Sequence, residues 1–96
     1  MTNNKYYIVR TNRAGVFFGE IKERSATEIT MTNVRKLWRW NGACAVEELA
    51  INGVKARAGC KFTVVVPEMI IADPIQIIPC TNIAAERISE VAVWTY

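Results

Sequence analysis

Val34-Arg35-Lys36-Leu37-Trp38-Arg39-Trp40 is the stretch on which the fold class turns. As a strand it sets Val34, Lys36, Trp38 and Trp40 on one face and Arg35, Leu37 and Arg39 on the other, because successive strand side chains alternate. As a helix it groups Val34, Leu37 and Trp38. Two tryptophans two positions apart suit a pleated, half-buried surface, so a strand is expected. Asn41-Gly42 then marks a turn.

Upstream, the same two-residue period continues. Residues 5–10 are rich in Tyr, Ile and Val and predict a strand. Thr11-Asn12-Arg13-Ala14-Gly15 predicts a turn with Gly15 free to take positive φ. Residues 16–24 complete a hairpin, with Phe17, Gly19 and Ile21 on one face and Phe18, Glu20 and Lys22 on the other. Ser25-Ala26-Thr27 is a second turn, and residues 28–32 form a third strand with Ile29 and Met31 inward.

Downstream, residues 45–51 place Val46, Leu49 and Ala50 on one helical stripe. Glu47 and Glu48 fall in the first turn, where the helix dipole favours negative charge, and Asn52-Gly53 caps the end. Residues 61–66 predict a β-branched strand that Pro67 stops or places at an edge. Residues 70–72 and 75–78 are short extended pieces around Asp73-Pro74. Thr81 caps a helix over residues 82–89, with Ile83, Ala84 and Ile88 as its apolar stripe. Residues 91–96 close the chain as a strand. The expected architecture is a compact, β-rich α+β domain of six or seven short strands with two short helices. Residues 1–96 form this single domain.

Composition narrows the function. Of 96 residues, 51% are apolar, near the upper end of the usual range, in a domain that buries only roughly two-thirds of its unfolded surface. A homo-oligomer is therefore expected. Twelve Lys and Arg against nine Asp and Glu give a net charge of +3. That is too mild for sequence-specific nucleic-acid binding but suits a small anionic ligand such as a nucleotide. The polar N-terminus lacks the apolar core of a signal peptide, and no apolar run approaches the ~18 residues of a membrane span, so a cytoplasmic protein is expected. The three cysteines, Cys44, Cys60 and Cys80, are an odd number without paired spacing. Free, buried thiols are expected, without metal or cofactor.

Histidine is absent, which removes the commonest general base and metal ligand. The five glycines match no phosphate-loop pattern. A non-enzyme is expected. The richest cluster is Arg35, Lys36, Trp38, Arg39 and Trp40, where indole faces could stack on bases and cations could hold phosphate. Arg10 and Arg13 of the first hairpin turn are expected to help, in a loop that can form an anion nest. Both segments are also compatible with ordinary roles: tryptophans in a core or interface, arginines on solvated faces.

The sequence resembles a family of small proteins encoded by tailed bacteriophages. The resemblance runs through Tyr6-Tyr7-Ile8-Val9-Arg10-Thr11, Arg13-Ala14-Gly15-Val16-Phe17-Phe18-Gly19-Glu20-Ile21, Leu37-Trp38, Trp40-Asn41-Gly42-Ala43, Cys60-Lys61-Phe62-Thr63-Val64 and Ile77-Ile78-Pro79-Cys80-Thr81. It implies a viral origin and action in the cytoplasm of an infected bacterial host, with no assigned chemistry. Phage accessory proteins include compact homo-oligomers that sequester cyclic-nucleotide or cyclic ADP-ribose immune signals. A non-catalytic oligomeric sponge of that kind is the leading expectation. The alternatives are a virion structural or assembly protein and a protein inhibitor of a host factor.

Light scattering at micromolar concentration should return at least twice the monomer mass. A mass equal to the monomer's would refute the oligomer.

Overall fold

The computed structural model of the protein describes residues 5–40, 45–54 and 59–94. Strands β1 (Tyr7–Thr11), β2 (Val16–Arg24) and β3 (Glu28–Arg39) come first, followed by helix α1 (Val46–Asn52). Strands β4 (Lys61–Phe62), β5 (Val66–Ala72) and β6 (Pro74–Pro79) precede helix α2 (Asn82–Ser89). The six strands make one antiparallel sheet in the order β4-β3-β2-β1-β6, with β5 also paired to β3. The expected β-rich α+β domain is the observed one.

Residues 28–32 and 34–40, expected as separate segments, join into the single twelve-residue strand β3. The joint is Asn33, which takes a left-handed φ of 51°. Opposite it, β2 advances from Phe18 to Glu20 while β3 moves from Arg35 to Thr32. β3 thus carries one extra residue, a bulge that reverses the alternation beyond it. Because of that reversal, Ile29, Met31 and Val34 all enter the same core.

β5 lies at β3's outer edge and β6 at β1's, yet only Asp73 separates them. The two sides of the sheet must therefore converge at this corner, and the sheet curls. Asp73 sits at φ 55°. Its N–H donates to the Thr27 carbonyl (2.9 Å), and its own carbonyl accepts from the Asn12 N–H (3.3 Å). Inside the curl lie Val9, Phe17, Ile29, Met31, Val34 and Ile71. On the opposite face Ile8, Phe18, Leu37 and Phe62 pack against Val46, Leu49 and Ala50 of α1 and Ile88 of α2. Adjacent residues Ile8 and Val9, and likewise Phe17 and Phe18, are both buried. That happens only where a sheet is covered on both faces.

The helices follow their sequence signals closely. Gly53 ends α1 at φ 68° and donates to the Leu49 carbonyl. Thr81 caps α2 by accepting from the Ala84 N–H, and its hydroxyl donates to the Ile51 carbonyl at 2.6 Å, tying the helices together. Ile83 is exposed, so the buried stripe of α2 is Ala84 and Ile88.

Two strands differ from expectation. The pairing of residues 61–66 stops after Phe62, because the Lys36 carbonyl and amide are then served by the Thr63 N–H and Oγ1. Pairing resumes at Val66 on a different stretch of β3. Residues 91–94 do not form a strand: they contribute one parallel bridge, Val93 to Phe62. Thr95, Tyr96, Asn41-Gly42 and Cys44 lie outside the described residues. No helix among the described residues is long and apolar enough to cross a membrane.

Gly19 faces the bulge so closely that an added Cβ would sit 3.0 Å from the Thr32 carbonyl oxygen and 3.1 Å from Val34 Cα. These are backbone atoms, which cannot rotate away. Gly19→Ala should therefore destabilise the fold by about 1–3 kcal/mol. Urea denaturation checks this, and an unchanged midpoint would contradict the close approach.

Candidate binding site

The stretch that carried the ligand expectation is split by the pleat of β3. Arg35 and Leu37 point to the helix side, and Lys36 and Trp38 point away from it. Arg35, expected as an accessible cation, is 3% exposed. Its Nε donates to the Thr63 carbonyl (2.9 Å) and its Nη1 to the Ile88 carbonyl (3.1 Å). Its guanidinium carbon stands 5.4 Å from the centre of the Phe62 ring. Burial pushes its pKa below the usual arginine value. A guanidinium nevertheless stays charged in proteins. Arg35 thus ties β3 to the last turn of α2, where a cation also complements the helix dipole.

Lys36 and Trp38 do line a cleft, in company that the sequence did not reveal. Its other walls are Lys61 of β4, Thr63, and Trp94 from the segment after α2; the volume is about 230 Å³. The indoles of Trp38 and Trp94 meet edge to face with centroids 4.9 Å apart. The Lys61 ammonium lies 4.9 Å from the Trp94 ring centre and 5.5 Å from that of Trp38. Local pairing explains the assembly. Arg39 pairs with Lys61 and Leu37 with Phe62, so Phe62 enters the core while Lys61 falls beside Trp38. The Trp94 N–H donates to the Phe62 carbonyl at 3.0 Å, which brings the second indole alongside.

Neither Trp94 nor Lys61 was among the residues expected at the site. Sequence distance hid both, since thirty-three residues separate them. The only available signal was the alternation of residues 61–62, with apolar Phe62 facing inward and its neighbour outward.

The remaining expected residues are dispersed. Arg39 is exposed on the strand end. Trp40 is half-buried against the helix-side core, where it contributes packing. Arg10 is exposed on β1, pairing in register with Gln76. Its charge helps to hold the Glu47 carboxyl below its ordinary pKa, after larger contributions from hydrogen bonds with Gln76 and the backbone. Arg10 thus lies on the helix side, within electrostatic reach of Glu47. Arg13 is exposed in the turn, which is closed by Thr11 and Gly15: the Gly15 N–H donates to Thr11 Oγ1 at 2.8 Å. Gly15 also abuts Lys36, whose Cε would lie 3.0 Å from an added Cβ.

Cys80 is a free thiol. Burial pushes the Cys80 thiol up to about 12, so it stays protonated and unreactive near neutrality. Among the described residues, no group of three or more Cys, Asp or Glu is placed to hold a metal ion.

A family described as a domain of unknown function (DUF6948) matches residues 4–88. No curated protein and no solved structure matches the chain.

Arg35→Ala should destabilise the protein by about 2–4 kcal/mol, since it strips two carbonyls of charged donors. Arg39→Ala should stay within about 0.5 kcal/mol of the parent, as exposed substitutions do. Equal melting temperatures for the two variants would contradict the assignment of Arg35 as a structural tie.

Proposed function

We propose that this chain, which belongs to the DUF6948 family, is a non-catalytic binding protein whose Trp38–Trp94 cleft takes the flat, apolar part of a small anionic ligand, with a nucleotide as the best fit. The observation that carries this reading is the convergence of two indoles with Lys61 and Lys36 in one cleft. Indole faces offer stacking worth about 1–3 kcal/mol per base, and ammonium groups attract phosphate as point charges.

Size refines the reading. Sites for drug-sized ligands usually enclose about 300–1,000 Å³, and this cleft holds about 230 Å³. It accommodates a base and leaves the sugar and phosphates at the rim, where a second subunit would complete the enclosure. A larger hollow of about 420 Å³ is lined by Glu23, Arg24, Ser25, Glu28 and Thr30. Its two carboxylates and lack of aromatics suit an anion poorly.

In its sharpest form, the protein is a homo-oligomeric sponge for cyclic-nucleotide or cyclic ADP-ribose signals in the cytoplasm of an infected bacterium. That form rests on the resemblance to tailed-phage proteins. The absence of histidine and the raised thiol pKa of Cys80 support a binding role over a catalytic one. A second reading is an assembly protein or host-factor inhibitor. It draws support from exposed Ile70 and Ile75, which flank the β5–β6 corner.

Calorimetry with cyclic dinucleotides and cyclic ADP-ribose isomers tests the proposal. Trp38 is 57% exposed, so Trp38→Ala should leave the protein folded. It should weaken binding by about 1–3 kcal/mol. Lys61→Ala should also weaken binding and reduce its salt dependence, while Arg13→Ala should do neither. If no nucleotide binds, or if one binds equally well to Trp38→Ala, the cleft is not a nucleotide site.

A further inference from the structure

A second cavity, of about 290 Å³, is lined by Tyr6, Phe18, Asn33, Arg35, Val65 and Ser89. Its chemistry differs from that of the tryptophan cleft. One wall is flat and apolar, made by the rings of Tyr6 and Phe18, stacked at 4.9 Å with an interplanar angle of 12°. Asn33 and Ser89 add an amide and a hydroxyl. Arg35 brings a positive charge.

That charge is incompletely served. Arg35 Nη2 is buried and has no hydrogen-bond partner among the described residues. The two acceptors that the guanidinium does have, on Thr63 and Ile88, are neutral backbone carbonyls. A buried donor left unpaired is costly, and more so when it is charged. A guanidinium cannot escape by losing its proton at neutral pH. The lining therefore combines a deeply buried cation, an idle donor and a void able to hold a small molecule.

We infer that this cavity is a second ligand site, independent of the tryptophan cleft, which takes a small carboxylate or other singly charged oxyanion onto the Arg35 guanidinium. The limits on the ligand follow from the surroundings. The Asn33 amide donates to Glu20 Oε1 at 2.6 Å. The Glu20 carboxylate also raises the Tyr6 pKa, second to burial. An acid therefore stands near the Tyr6–Asn33 side, where it repels multiply charged ligands and leaves the Arg35 side for a single negative charge. The Tyr6–Phe18 wall accommodates a short apolar tail. Val65, Ser89 and Asn33 are exposed; Asn33 is held by Glu20, so Val65 and Ser89 are the lining residues able to move aside for entry.

The test follows the Arg35 Nε–H and the Ser89 and Tyr6 amides by ¹⁵N-correlated NMR. Sodium acetate and inorganic phosphate are titrated separately, with sodium chloride at matched ionic strength as the reference. The expected result is a saturable shift at these three positions that chloride does not produce. Saturation with acetate identifies a carboxylate site, and saturation with phosphate held below its second pKa, where it is singly charged, identifies a phosphoryl site; either supports the proposal, whereas saturation by the phosphate dianion alone contradicts it. Val65→Trp fills the cavity from an exposed position and should weaken binding about tenfold or more while leaving the fold intact. Changes that never saturate, that chloride reproduces, or that persist undiminished in Val65→Trp would overturn it. The indole N–H signals of Trp38 and Trp94 report separately on the cleft, so failure at one site is distinguishable from failure at the other.

Discussion

Strand β3 has hydrogen-bonded partners on both edges, and the rest of the molecule hangs from that arrangement. β2 runs along one edge, while β5 and β4 divide the other. A twelve-residue strand with uniform alternation would send Val34 to the face opposite Ile29 and Met31. The bulge at Asn33 prevents this by inserting one residue and reversing the phase. The N-terminal part of β3 then fills the curled core, and Val34 stays with it. Beyond the bulge, Arg35 and Leu37 turn to the helix side. Gly19 allows β2 to follow the bulge without a steric clash. One irregular position thus decides which residues enter which core, and so which remain for a ligand.

Thr63 converts that arrangement into two neighbouring cavities. Its N–H and Oγ1 serve the backbone of Lys36 at 3.0 and 2.8 Å. Its carbonyl accepts from Arg35 on the other side of the strand. The same residue lines the tryptophan cleft. Lys36 and Arg35 are adjacent in the chain, yet they face separate cavities of different chemistry. One sets the half-buried Lys36 and Lys61 beside two indoles. The other offers a sequestered guanidinium beside stacked rings, which suits a small acid. A lysine in the second position would be less apt. Lysine could not hold two carbonyls in a planar fork.

Much of the fold was legible from local pattern. The first hairpin, its Gly15 turn, the α1 stripe with its Gly53 cap, and the Thr81-capped α2 all depend on residues within a few positions of one another. Alternation and capping chemistry are local rules, and they succeed where neighbours in sequence are neighbours in space. They fail where a strand ends because something distant has taken its hydrogen bonds. Residues 63–65 are β-branched or apolar enough to continue a strand. They do not, because Thr63 bonds Lys36 with its hydroxyl as well as its backbone. The segment after α2 likewise has strand-like composition, yet it makes a single bridge at Val93.

The sequence by itself determined the β-rich α+β class, the two helices and their caps, the mild positive charge, and the close spacing of tryptophans and cations in residues 35–40. The face assignment of residues 34–39 was also available, because alternation alone separates Arg35 from Lys36 and Trp38. What alternation could not say is which face is buried. Only the tertiary structure decided that α2 and Phe62 cover the Arg35 side and leave Trp38 open. It also brought Lys61 and Trp94 to the same cleft while sending Arg10 toward α1. The physical reason is that burial and site membership are properties of what lies across from a residue. Here the opposite wall comes from chain segments more than twenty residues away, whose placement follows from hydrogen-bond pairing that no local pattern encodes.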